Sequence, residues 1–88
     1  MNITLSEVKN IFEKLLNGTI RREEADRWAH NIIMESERGH LTFSPTADQE
    51  KIWAGIMYLY GVDTRDSPEE YLHTTEDIRA AMLEKLGL

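Results

Sequence analysis

Four separate stretches of this 88-residue chain place apolar residues three and four positions apart, and no other feature constrains the fold as strongly. That spacing lines up one apolar stripe along an α-helix, and the stripe must pack against another element. The stretches cover approximately residues 5–16, 22–36, 46–60 and 76–86. The pattern therefore predicts an all-α fold, a small four-helix bundle, with residues 1–88 forming a single helical domain.

Helix start and stop signals frame these stretches. Thr4 followed by Glu7, and Thr46 followed by Gln49, have the spacing of a capping box, in which the side chain of the first residue accepts a hydrogen bond from the backbone of the second. The third stretch is apolar on more than one side, so we expect its helix at the centre of the bundle. A glycine follows each stretch, at positions 18, 39, 61 and 87.

A further helix start lies between the third and fourth stretches, at Ser67-Pro68-Glu69-Glu70. A serine cap, a proline at the first helical position and a glutamate at the third favour a helix through sterics and hydrogen bonding together. Thr74 and Thr75 offer a new cap soon afterwards, which limits this helix to residues 68–72. We therefore predict one additional short helical turn beside the four main helices.

The charge and composition of the chain favour some partners and exclude others. Sixteen acidic residues stand against ten basic ones, giving a formal net charge of −6, and there is no cysteine. The charge opposes binding to phosphate backbones, which needs clustered Lys and Arg, so we expect no nucleic-acid partner and a basic protein instead. The absence of cysteine, of a signal-peptide pattern after Met1 and of a long apolar run indicates a cytoplasmic protein without membrane contact.

The sequence contains no motif that carries catalysis or binds a cofactor. No serine lies in a glycine-flanked elbow, and no glycine-rich loop could cradle a phosphate. Glu70 and His73 have the spacing of a di-iron ligand pair, but such a site needs a second copy on another helix. We expect no enzymatic activity, no catalytic residue, no cofactor and no metal site.

The strongest functional signal is an acidic stretch between positions 63 and 77, which contains six acidic residues and one basic residue, Arg65. Acidic side chains at helix starts interact favourably with the helix dipole, which accounts for several of them without any function. Tyrosine among carboxylates is also a common way to build a recognition surface for a basic partner. The predicted partner-binding residues are Asp63, Asp66, Glu69, Glu70, Tyr71 and Tyr58.

Two local resemblances add to this interpretation. The segment that resembles colicin-type nuclease immunity proteins contains Tyr58-Leu59-Tyr60, Asp63, Asp66, Ser67 and Pro68. That resemblance implies an acidic four-helix domain that neutralises a cationic nuclease, although the family's third helix is much shorter than the one predicted here. Other segments are similar to a group of small uncharacterised bacterial proteins, which implies a fold but no activity; they include Gly18-Thr19-Ile20, Arg22-Glu23-Glu24-Ala25, Trp28-Ala29, Tyr71-Leu72-His73 and Glu76-Asp77.

These observations together predict a small acidic protein-binding domain, in its most specific form an immunity-like inhibitor of a basic toxin. The alternative is a homo-oligomerising structural module with no catalytic activity, in which an apolar face forms a homodimer and the acidic residues only solvate the remaining surface. A concentration-dependent mass would distinguish the two, because only the second requires association with itself.

Overall fold

Four α-helices form most of the computed structural model, which describes residues 1–88. They lie close to the predicted stretches, and none combines the length and the apolar content that a membrane span needs. A single 3₁₀ turn, Thr46–Asp48, precedes the third helix. The helices are α1 (Leu5–Leu16), α2 (Arg22–Glu37), α3 (Gln49–Leu59) and α4 (Thr75–Leu86).

Helix α3 lies at the centre of the fold, as predicted, and packs against the other three helices. Its residues Ile52, Ile56 and Leu59 have no exposed surface. Gly55 brings the neighbouring helices close, because a Cβ atom at this position would lie 2.8 Å from both Leu86 Cδ2 and Val8 Cγ1. The centre of the hydrophobic core is therefore packed around one face of α3, and we call it the α3 core.

The prediction of an all-α fold is wrong, because the chain also forms two small sheets. Strand β1 (Asn2–Thr4) pairs in parallel with β2 (Thr42–Ser44), and strand β3 (Arg65–Ser67) pairs antiparallel with β4 (Glu70–Tyr71). Each strand has at most three residues, too few for the alternating pattern by which strands are recognised in a sequence. The β1–β2 pairing also joins segments about forty residues apart, which no local signal indicates.

The additional short helical turn is likewise absent, and a β-hairpin takes its place. Pro68 and Glu69 form the turn between β3 and β4. The Leu72 N–H donates to the Thr64 carbonyl across a distance of 2.9 Å, which extends the pairing beyond the strands. Proline has a fixed φ that suits a tight turn as well as a helix start, so the same residues are compatible with both.

Two of the helix starts have the predicted capping residues and one does not. Thr4 Oγ1 accepts a hydrogen bond of 3.1 Å from the Glu7 N–H at the start of α1. Thr74 and Asp77 form a reciprocal capping box at the start of α4. Thr46, by contrast, begins the 3₁₀ turn, and α3 starts after it without a side-chain cap.

Candidate functional site

An open groove with a volume of about 440 Å³ lies where α1 ends and where α2 and α4 begin. Leu15, Leu16 and Ile20 give it an apolar side, and each of them is also packed against the hydrophobic core. The volume falls within the range of about 300–1,000 Å³ that is usual for small-molecule sites. The other residues that line the groove are Gly18, Arg21, Arg22, Glu23, Tyr71 and Thr75.

The turn between α1 and α2 determines which side chains reach the groove. Gly18 has a φ of +80°, a conformation that other residues rarely adopt, and this lets the chain reverse after α1. The Thr19 N–H donates to Asn17 Oδ1 across 2.9 Å, which fixes the turn from its outer side. The turn thereby places Ile20 and Arg21 at the edge of the groove, next to the start of α2.

Tyr71 lies between the hairpin and α2 and makes most of the polar contacts of the groove. Its hydroxyl donates to Glu23 Oε1 across 2.8 Å. The guanidinium carbons of Arg22 and Arg65 lie 4.3 and 4.5 Å from the centre of its ring, which is the distance of a cation–π contact. Arg65 is also the residue directly opposite Tyr71 in the hairpin, so both side chains lie on the same face. We call Arg22, Glu23, Arg65 and Tyr71 the arginine–tyrosine cluster.

The two arginines of this cluster have no carboxylate partner within 4.0 Å. Arg22 donates instead to the His73 carbonyl, and Arg65 donates to Tyr71 Oη across 3.3 Å. A guanidinium group has five N–H donors, so both arginines keep donors that no protein atom uses. The cluster can therefore bind an anion without first breaking an ion pair.

The hydrogen bond between Tyr71 and Glu23 shifts the pKa of both groups. The tyrosine hydroxyl stabilises the carboxylate and holds the pKa of Glu23 below its usual 4.5. The same hydrogen bond, followed by partial burial, raises the pKa of Tyr71 above its usual 10.0. At neutral pH the Glu23 carboxylate is consequently charged, and it accepts a hydrogen bond from Tyr71.

The predicted acidic residues are spread over the hairpin and the turn before it. Asp66, Glu69 and Glu70 are exposed on the hairpin, and Asp63 is partly exposed just after α3. None of the four forms an ion pair. Glu70 pairs with Ser67 in the hairpin and does not line the groove. Since β4 replaces the predicted helical turn, a helix dipole no longer accounts for Glu69 and Glu70.

Tyr58 does not join Tyr71 in a surface patch. Its ring packs against Phe12, with ring centres 6.0 Å apart, and against His73, with ring centres 5.1 Å apart. The hydroxyl is buried and has no hydrogen-bond partner. Burial, followed by the nearby charge of Asp77, raises the pKa of this tyrosine. Whether any of the six predicted residues contacts a partner stays a prediction.

Of the arginine–tyrosine cluster, only Tyr71 was among the residues predicted from the sequence to bind a partner. A signal was available in Arg22, because a cation at the first position of a helix opposes the helix dipole and is not explained by stability. A second signal was Arg65, the one cation in the acidic stretch. Their contact with one tyrosine could not be inferred, since it depends on a hairpin that folds back onto α2. No group of three or more His, Asp or Glu side chains is arranged to hold a metal.

Comparison with known proteins identifies a family. Residues 2–85 match the family model described as "YxzC DNA-binding protein". The chain is 32% identical over 74 residues to the uncharacterised protein YxzC of Bacillus subtilis strain 168, a match that covers 84% of the chain. The match covers 55% of that relative, so the chain spans about half its length. No solved structure matches the chain.

These comparisons confirm the similarity to small uncharacterised bacterial proteins and correct the functional prediction. The family description names DNA binding. It contradicts the immunity-like inhibitor, the basic protein partner and the exclusion of nucleic acid, and it does not support the alternative structural module. The exclusion was based on the net charge, which sums over the whole chain and therefore conceals a local pair of arginines without carboxylate partners. The resemblance to nuclease immunity proteins finds no support in these comparisons.

Proposed function

This chain belongs to the YxzC family, and from that membership we propose that it binds DNA through the arginine–tyrosine cluster and the groove beside it. The observation that carries the choice of surface is the pair Arg22 and Arg65, which lie over one tyrosine ring without a carboxylate partner. The family description supports DNA as the ligand class, and the position of the two arginines supports this choice of surface.

Arginine suits this role because its planar guanidinium binds a phosphate with two parallel N–H donors. The contact with Tyr71 holds each guanidinium in place, so less side-chain freedom is lost on binding. Arg21 adds a third positive charge at the edge of the groove, although it is paired with Glu24 at 3.4 Å. The groove thus offers one unpaired arginine, Arg22, with a second, Arg65, beside it on Tyr71, and Arg21 is a third that an incoming phosphate could recruit.

The acidic surface elsewhere limits how DNA can approach. With a net charge of −6, the protein repels a phosphate backbone at any distance that salt does not screen. Binding is therefore confined to the groove side, with few phosphate contacts. Each neutralised phosphate contributes about −0.9 for duplex DNA, or about −0.7 for a single strand, to the dependence of log K on log salt. Two or three contacts therefore give a slope of about −1.4 to −2.7.

Two further properties follow from the proposed DNA binding, the cellular compartment and the lack of catalysis. A chain that binds bacterial DNA works in the cytoplasm, where that DNA lies. We also propose that it has no enzymatic activity, because the hydroxyl–carboxylate pair of the groove is Tyr71 and Glu23, and the raised pKa of Tyr71 disfavours the phenolate that a nucleophile needs.

The test compares DNA affinity in the wild type and in the double variant Arg22→Gln/Arg65→Gln. Fluorescence anisotropy with a labelled oligonucleotide, repeated at several salt concentrations, gives both the affinity and the salt slope. We expect the double variant to bind at least about tenfold more weakly, because a hydrogen bond to a charged group contributes about 1.5–3 kcal/mol. The salt slope should fall by about two.

A matched control removes the same charge from another part of the surface. Lys9→Gln/Arg27→Gln is suitable, because both residues are exposed, lack a carboxylate partner and do not line the groove. It should weaken binding only slightly. Equal losses in the two double variants would show that charge alone matters and would overturn the assignment to the cluster. Absence of DNA binding by the wild type at low salt would overturn the proposed function itself.

A further inference from the structure

We infer, on the basis of the proposed DNA binding, that the groove takes an unpaired base of single-stranded DNA while Arg22 and Arg65 hold neighbouring phosphates. Three features of the molecule point to this ligand: the apolar side of the groove, its size, and the charge of the helices. Each of them separates a single strand from a duplex.

The apolar side of the groove would not contribute to binding the backbone of a duplex. Leu15, Leu16 and Ile20 lie beside the arginine–tyrosine cluster and are only partly buried. Phosphates and sugars gain nothing from apolar contact, whereas the face of a base does. In a duplex those faces are stacked on one another, and in a single strand they are free. An apolar surface next to phosphate-binding arginines is therefore complementary to an unpaired nucleotide.

The size of the groove agrees with one nucleotide and not with a double helix. A volume of about 440 Å³ is that of a site for a small molecule. Duplex DNA is usually read by a convex protein element, such as an α-helix, that enters the major groove of the DNA, which is about 12 Å wide. The site described here is concave, so the ligand must enter the protein.

The helices lack the cationic face by which proteins usually enter the major groove. Each helix has one exposed Lys or Arg side chain. Two of these four are paired with an acidic residue three positions earlier, Lys51 with Asp48 and Arg79 with Glu76. Helix α4 also begins with Glu76 and Asp77, which would face the phosphates. The four exposed basic residues are Lys9 of α1, Arg27 of α2, Lys51 of α3 and Arg79 of α4.

The test uses three labelled probes of equal length, about 12 nucleotides, which suits a small single-strand site. They are a thymine oligonucleotide, a duplex of mixed sequence, and an abasic strand that keeps the sugar–phosphate backbone without bases. Anisotropy is measured with the wild-type protein at one low salt concentration. We expect the thymine strand to bind about tenfold more tightly than the duplex and about tenfold more tightly than the abasic strand.

The outcomes separate this inference from the proposed function. A duplex bound as tightly as the single strand, or an abasic strand bound as tightly as the thymine strand, overturns the inference and leaves DNA binding intact. Absence of binding to all three probes overturns both.

A variant in the apolar side of the groove gives a second readout. Ile20→Thr removes apolar surface from the groove and leaves every charge unchanged. We expect it to weaken binding of the thymine strand severalfold and to leave binding of the abasic strand unchanged, while the melting temperature confirms that the variant is folded. An equal loss for both strands would contradict contact between a base and Ile20.

Discussion

Ile52, Ile56 and Leu59 are completely buried in the α3 core, whereas Tyr71 is only partly buried and its side chain is held by two hydrogen bonds and two cation–π contacts. In the core, stability comes from apolar area removed from water, and each fully buried side chain contributes about 1.5–3 kcal/mol. In the arginine–tyrosine cluster each contact lies near solvent and contributes less. The core therefore determines whether the chain folds, and the cluster can change without unfolding it. Function can be tested at the cluster separately from stability.

The largest effect is expected from a charge in the α3 core. Ile56→Asp places an unpaired carboxylate at a position with no exposed surface, and the cost exceeds the few kcal/mol by which a domain of this size is stable. Circular dichroism should show an unfolded chain at 25 °C. Met57→Asp is the matched control, since Met57 is 45% exposed, and it should stay folded. A cooperative melting transition in Ile56→Asp would contradict the arrangement around α3.

A smaller effect is expected where the helices approach at Gly55. Gly55→Val adds a branched side chain where even a Cβ atom lies 2.8 Å from Leu86 Cδ2 and Val8 Cγ1. Overpacking of this kind costs about 1–3 kcal/mol, which urea unfolding can measure. Ala54→Val, one position earlier in α3 and partly exposed, serves as the control. Equal stability of the two variants would show that the helices do not meet closely at Gly55.

The cluster should tolerate the loss of its central hydrogen bond. Tyr71→Phe removes the donor to Glu23 and the acceptor of the Arg65 hydrogen bond but keeps the ring next to the arginines, so the melting temperature should fall by less than about 5 °C. A larger fall, with loss of the hairpin signals in an NMR spectrum, would show that this contact holds the hairpin in place. The arginine–tyrosine cluster would then contribute to folding, as the α3 core does.

The loss of stability caused by Tyr71→Phe should depend on pH, in a direction that follows from the pKa shifts of Glu23 and Tyr71. The folded state lowers the pKa of Glu23, so the stabilisation is complete above pH 4.5 and is lost as pH falls through the folded pKa. The folded state raises the pKa of Tyr71, so the stabilisation is complete below pH 10.0 and is lost as pH rises through the folded pKa. The difference in the free energy of unfolding between the wild type and Tyr71→Phe should be constant around neutral pH and should shrink at strongly acidic and strongly alkaline pH. A difference that does not shrink at all as pH falls below 4.5 would contradict a contribution from the Glu23 hydrogen bond.

The smallest effect on stability is expected from the acidic residues of the hairpin. Asp66, Glu69 and Glu70 form no ion pair, so Asp66→Asn/Glu69→Gln/Glu70→Gln should leave the melting temperature nearly unchanged. The same variant should bind DNA severalfold more tightly, because it removes repulsion beside the arginines. Unchanged or weaker DNA binding would contradict an approach from the hairpin side of the groove.

The core and the cluster also differ in how far the sequence predicts them. The four helices and the central position of α3 follow from apolar spacing and capping residues such as Thr4, because these signals are local. The hairpin does not, since Pro68 suits a turn and a helix start equally. The contact of Arg65 and Tyr71 with α2 depends on residues about forty to fifty positions apart, and a net charge cannot reveal two arginines that lack carboxylate partners.

The most direct test of the central claim is a titration of the ¹⁵N-labelled protein with a single-stranded oligonucleotide, followed by NMR. DNA binding at the arginine–tyrosine cluster predicts that the backbone amides of Gly18, Ile20, Arg22 and Tyr71 shift progressively with added DNA, while that of Gly39, which does not line the groove, stays in place. If saturating DNA shifts no amide, or shifts only amides remote from the groove, the account of this surface is contradicted.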